Sequence, residues 1–91
     1  MSVKVELSGV LSQVSGEKYV EIESHTVAEA LDALANRYGD EFRVRLFDQD
    51  GKPRRFINIY VNGRDSRFLK RLDTELSPGD TVTIIPAVSG G

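Results

Sequence analysis

The spacing of apolar residues changes from two to between three and four and then back to two, and this alternation most constrains what the chain can fold into. Val3, Val5 and Leu7 alternate with Lys4, Glu6 and Ser8, and Tyr19, Val20 and Ile22 supply a second strand-like run. After Ser24 and His25 the spacing lengthens, with Val27, Ala30, Leu31, Leu34 and Tyr38 forming one helical stripe. Thr26 followed three residues later by Glu29 is a capping box, and Gly39 stands where a left-handed cap would end the helix. A helix over 27–38 is predicted, and loss of the Thr26 cap should cost about 1 kcal/mol. Period two returns in Phe56–Val61, where Ile57, Ile59 and Val61 share one face and Phe56, Asn58 and Tyr60 the other, before Asn62-Gly63. Ser77-Pro78-Gly79-Asp80 is a turn that launches a last strand over Thr81–Ile85, with Val82 and Ile84 on one face.

Ser15-Gly16 reads as the turn closing the first two strands into a hairpin. Asp40 to Arg55 is mixed: Phe42, Val44, Leu46 and Phe47 suit a short helix or a strand, and Asp48-Gln49-Asp50-Gly51 a turn. Phe68, Leu69 and Leu72 read as packing residues of a short edge element. A hairpin, one main helix and two further strands make an α+β chain. The order ββαββ suits a ubiquitin-like β-grasp, a mixed sheet packed on one main helix with its first and last strands parallel at the centre. The alternative, a ferredoxin-like split βαβ, needs a second full helix that only the Asp40 to Leu46 region could supply.

At 91 residues the chain has room for one domain burying somewhat more than about 60% of its unfolded surface. A compact body acting through its surface or its end is therefore expected rather than a walled catalytic cleft. Twelve Lys and Arg against 14 Asp and Glu give no global field toward nucleic acid or an anionic membrane. With no cysteine there is no disulfide, thiolate metal site or cysteine nucleophile, and any sulfur chemistry must use borrowed sulfur. No apolar run would span a bilayer and the start lacks a signal-peptide core, so a soluble, cytoplasmic protein is expected.

The run ends in Ala87, Val88, Ser89, Gly90 and Gly91, which divides the chain into a body at 1–86 and a flexible tail at 87–91. Two glycines lack side chains that would clash with a narrow channel, and Ser89 is small enough to follow them. The five residues after Pro86 reach roughly 17 Å when extended, enough to enter a partner's buried site. Pro86 cannot donate a ladder hydrogen bond and is expected to stop the strand and release the tail. A terminal carboxylate is an anion at neutral pH and a poor electrophile, so it must be activated before it reacts.

With that order of elements, the segment Arg55-Phe56-Ile57-Asn58-Ile59-Tyr60-Val61-Asn62, the final strand and the tail Pro86 to Gly91, the chain resembles the ubiquitin-like sulfur carriers. These include the small subunit of molybdopterin synthase and the thiamine-pathway and cysteine-pathway carriers, and the segments look closest to the last. The resemblance implies that an E1-like adenylyltransferase converts the Gly91 carboxylate into an acyl-adenylate with Mg-ATP. Sulfide or a sulfur-donor enzyme's persulfide then leaves a thiocarboxylate, with Ala87, Val88, Ser89 and Gly90 threading into the partner. It further implies a sulfur-accepting synthase, in the cysteine pathway one holding pyridoxal phosphate and followed by a metallopeptidase, alternatively the large subunit of molybdopterin synthase. A protein modifier joined to target lysines is the related alternative. The chain itself is then carrier and substrate, with no catalytic residue, metal or cofactor of its own, and partners that are neither nucleic acid nor membrane.

The sheet face away from the helix is expected to gather Lys4, Glu6, Phe56, Asn58, Tyr60, Thr83 and Ile85. Phe56, Asn58, Tyr60 and Ile85 are the candidate partner-docking surface, with aromatic anchors in a hot-spot role. The competing reading is that these aromatics only stabilise cross-strand pairs. Two basic clusters, one of Lys52, Arg54 and Arg55 and one of Arg64, Arg67, Lys70 and Arg71, read as a solvated face or a rim that steers acidic partners. The single histidine, His25, reads as structural or exposed, and Asp48, Asp50 and Gly51 as a plain turn rather than a calcium loop.

Overall fold

A computed structural model describes residues 2–86. The strands are β1 (Ser2–Leu7), β2 (Tyr19–Glu23), β3 (Ile57–Val61), β4 (Arg64–Asp65) and β5 (Thr81–Pro86). The helices are α1 (Gly9–Ser15), α2 (Val27–Tyr38) and α3 (Asp40–Leu46), with 3₁₀ turns at Ser66–Phe68 and Arg71–Asp73. All five strands form one mixed sheet in the order β2-β1-β5-β3-β4. At its centre β1 and β5 run parallel, pairing Lys4 with Thr81 through Leu7 with Ile84. The ubiquitin-like β-grasp is therefore the architecture.

Strand alternation sends Val3, Val5, Leu7, Val20, Ile22, Ile59, Val61, Val82 and Ile84 to the inner face, where all are buried. They meet Val27, Ala30, Leu31 and Leu34 of α2 in one core, into which α3 adds Phe42 and Leu46. Each of the Val, Leu, Ile and Phe side chains contributes about 1.5–3 kcal/mol on burial. Tyr38 and Phe42 join the two helices through tilted rings 5.1 Å apart. Burial and a hydrogen bond to Glu17 push the Tyr38 phenol up to about 12.

The α2 boundaries match the predicted ones, and the Thr26 hydroxyl accepts from the Glu29 N–H at 3.2 Å. The reciprocal arm of the box is shifted by one residue, since the Glu29 carboxylate takes the His25 N–H at 2.9 Å. Segment 74–76 is tied alongside, with Val27 N–H to the Thr74 carbonyl and Leu76 N–H to the His25 carbonyl.

Several local expectations are corrected. The first two strands are antiparallel, but they are joined by α1 rather than by a tight turn. Gly16 instead caps α1 in the left-handed conformation, and Leu11 is fully buried. Gly39 has the expected positive φ of 91°, but its ψ of −168° is not left-handed helical, and the chain passes straight into α3. The 40–46 stretch, open between helix and strand, is helical because Phe42 and Leu46 at i and i+4 both reach the core. Phe68 does not pack: it is 85% exposed, while Leu69 and Leu72 are the residues that lean on the core.

Candidate functional site

Two turns set the position of β5. The Asp80 carboxylate accepts the Ser77 N–H at 2.7 Å and the Asn62 amide at 3.0 Å, while the Asn62 carbonyl oxygen of the side chain accepts the Thr81 N–H at 2.9 Å. The Ser77 N–H and the Asn62 amide hold the Asp80 carboxyl below its ordinary range. Asn62, at φ 51°, and Gly63, at φ 84°, make the two-residue turn between β3 and β4. One clamp thus fixes both the start of β5 and the end of β3.

At its other end β5 includes Pro86, which lies opposite Ile57 of β3. The ladder with β1 ends earlier, at Leu7 and Ile84. The phase explains the difference: the Lys4 N–H bonds to the Asp80 carbonyl, so the amide positions of Val82, Ile84 and Pro86 face β1, and Pro86 has no hydrogen to give. Pro86 therefore stops pairing on one side only. The site-residue expectations at Ala87, Val88, Ser89, Gly90 and Gly91 lie outside the described residues.

The outer face carries one row of side chains across the whole sheet. Tyr19 of β2 is opposite Glu6 of β1, Glu6 is level with Thr83 of β5, Thr83 is opposite Tyr60 of β3, and Tyr60 is opposite Asp65 of β4. The Thr83 hydroxyl donates to the Glu6 carboxylate at 3.2 Å, and the Lys4 ammonium stands 4.4 Å from the Tyr19 ring centroid. Glu6, as hydrogen-bond acceptor and as negative charge, holds the Tyr19 phenol above the usual tyrosine range. Asn58 and Ile85 form the neighbouring cross-strand pair, with Ile85 40% exposed.

Phe56, 51% exposed, lies in the turn before β3 rather than in the strand, where the Ile57 N–H bonds to the Arg54 carbonyl. Its place on the strand face is thus corrected to the rim at the Ile57–Pro86 end. Tyr19, 52% exposed, is an addition: buried Val20 and Ile22 require it to point outward, a signal present in the alternation. Between Tyr19 and Ile85 a depression of about 380 Å³ runs past Ser8 and Gly9, beside the end of β5.

His25 is exposed, with its ring 3.3 Å from the Glu29 carboxylate. Among the described residues no three of His, Cys, Asp and Glu cluster as a metal would require, and no helix is long and apolar enough to cross a membrane.

Comparison with known proteins matches the ThiS family model over residues 5–91. The sulfur carrier protein CysO of Mycobacterium tuberculosis is 40% identical over 93 residues, covering 100% of both chains. SAMP1 of Haloferax volcanii superposes with a TM-score of 0.88 at 31% identity, covering 100% of both chains. The crystal structure of the BexX/CysO complex of Amycolatopsis orientalis matches with a TM-score of 0.83 at 42% identity, covering 98% of this chain and 99% of the other.

Proposed function

Because the chain belongs to the ThiS family, we propose that it is a sulfur carrier whose Gly91 carboxylate is activated as an adenylate and converted to a thiocarboxylate. The observation that carries this reading is the full-length likeness to a sulfur carrier protein, running through the Gly-Gly segment. The described body contributes a strand that brings Pro86 to the margin of an outer face carrying Tyr19, Tyr60 and Ile85, with Phe56 at its rim.

In the proposed cycle an E1-like adenylyltransferase uses Mg-ATP: a Gly91 carboxylate oxygen attacks the α-phosphorus and pyrophosphate leaves. Sulfide then attacks the acyl carbon, AMP departs, and the carboxylate has exchanged one oxygen for sulfur. The outer face, with Asn58, Tyr60 and Ile85 and with Phe56 at its rim, docks the activating enzyme and then the acceptor, while Ala87, Val88, Ser89 and Gly90 thread the reactive end. The likeness to CysO favours cysteine biosynthesis, with a pyridoxal-phosphate synthase as acceptor and a metallopeptidase for release. All cofactors then belong to the partners.

A second reading, a modifier ending in an isopeptide bond with a target lysine, is favoured by the likeness to SAMP1, whose organism's protein is called small archaeal modifier protein 1. Both readings require the terminal glycine, whereas a pure binding module does not. Deleting Gly91 should abolish sulfur delivery or conjugation while leaving the fold intact. Full function of the deleted chain in its host would overturn both.

A further inference from the structure

Two members of each basic cluster, separated in sequence, are brought together in a groove beside the sheet edge. Lys52, Arg55, Arg67 and Arg71 line it together with Ile57 and Ile59 of β3 and Leu72, around a cavity of about 360 Å³. One carboxylate, Asp65, also lines it and is taken by Arg67 at 2.7 Å. The groove thus combines four cationic side chains, one of them paired, with apolar Ile57 and Leu72.

The same groove runs along an incomplete sheet edge. β4 pairs only with Tyr60 and Val61, so among the described residues Ile57, Asn58 and Ile59 have no strand beside them on that side. The Asn62 N–H bond to the Thr81 carbonyl, 2.8 Å, sets the phase of the antiparallel ladder. Asn58 and Tyr60 therefore direct their amides to β5, while Ile57 and Ile59 direct theirs away from it. The Ile57 N–H is taken by the Arg54 carbonyl at 3.0 Å. The Ile57 carbonyl and the Ile59 N–H are turned away from β5 on the groove side, while the Tyr60–Asp65 pairing with β4 takes the Ile59 carbonyl.

Arg71 adds a third observation. Its φ of 53° is a conformation glycine accepts and arginine rarely takes. Backbone held in this way is concentrated at ligand-binding segments.

From these features we propose that the groove binds an extended, acidic polypeptide segment of a partner protein, which adds a strand to the free edge of β3. Backbone groups of the segment would pair with the Ile57 carbonyl and the Ile59 N–H, one alternate side chain would rest on Ile57 and Leu72, and carboxylates would face Arg55, Arg71 and Lys52. A strand edge matches a polypeptide backbone and has no counterpart in a nucleic acid, which favours protein over RNA. This goes beyond the carrier reading and does not require Gly91.

The test uses the full chain and a fluorescein-labelled peptide alternating valine with glutamate. Fluorescence anisotropy should show saturable binding, with NMR amide shifts centred on Ile57–Ile59. Arg55→Glu and Arg71→Gly should each weaken binding by about fivefold or more. The glycine variant suits the φ at that position, so the fold is retained. A peptide N-methylated at alternate residues, which cannot pair with a strand edge, should bind at least about fivefold more weakly. The proposal is overturned by absence of binding, by equal affinity of the N-methylated peptide, by shifts centred elsewhere, or by a uridine oligonucleotide binding as tightly as the peptide.

Discussion

The ring of Pro86 stands 3.1 Å from the point a Cβ on Gly9 would occupy, so the end of β5 is held against the first turn of α1. Gly9 also has a φ of 58°, and the position therefore demands glycine for two independent reasons. The contact ties the end of the central strand to the outer-face depression beside Tyr19 and Ile85.

Gly9→Ala should destabilise the fold by more than Gly16→Ala. At Gly16 φ is also positive, 77°, but nothing lies within 4 Å of an added Cβ, so only the backbone penalty of about 1–2 kcal/mol applies. Urea denaturation of the two variants separates the terms. Equal losses would show that the Pro86 ring yields without cost.

The core variants Leu34→Ala and Phe42→Ala should lose about 2–5 kcal/mol, because both side chains are fully buried between helices and sheet. Phe68→Ala should change stability by less than about 0.5 kcal/mol, since Phe68 is 85% exposed. Thermal unfolding followed by circular dichroism checks both.

Stability should fall on the acid side. The Ser77 N–H and the Asn62 amide depress the Asp80 carboxyl, the Arg67 side chain and N–H depress Asp65, and the His25 N–H depresses Glu29. A depressed carboxyl contributes stability that is complete above its unfolded value, about 4, and is lost as pH falls through the folded value. Tyr38, raised to about 12, acts oppositely: its contribution is complete below pH about 10 and is lost as pH rises through the folded value. Urea midpoints against pH should therefore decline below about pH 4, and Asp80→Asn should flatten that decline. An unchanged acid limb in this variant would remove Asp80 from the explanation.

Tyr60→Ala should weaken binding to an activating or accepting partner with little loss of fold, because Tyr60 sits on the outer face opposite Thr83. Calorimetric titration against the partner, with circular dichroism of the variant, reads both quantities. Unchanged affinity would leave Tyr60 with a cross-strand role alone.

Much of the architecture was legible because its strands are half-buried: Val3, Val5 and Leu7, or Ile57, Ile59 and Val61, show their inner face by alternation alone. The α2 helix was legible from its stripe and its Thr26 cap. The short α1 was hidden, since seven residues hold too few turns for a period to emerge and Ser15-Gly16 imitates a hairpin turn. Phe68 misled because hydrophobicity does not reveal which residues of an irregular segment reach the core. The groove at the β3 edge depends on long-range placement of Lys52 and Arg55 beside Arg67 and Arg71, which no local pattern carries.

The chemistry proposed for Gly91 is read by intact mass spectrometry. The chain is incubated with Mg-ATP, sulfide and a candidate activating enzyme of its host, with a Gly91-deleted chain alongside. A mass gain matching replacement of one oxygen by sulfur is expected, confined to the terminal residue, dependent on ATP and absent from the deleted chain. An unchanged mass with an enzyme that loads a related carrier under the same conditions, or a gain that persists without Gly91, would contradict it.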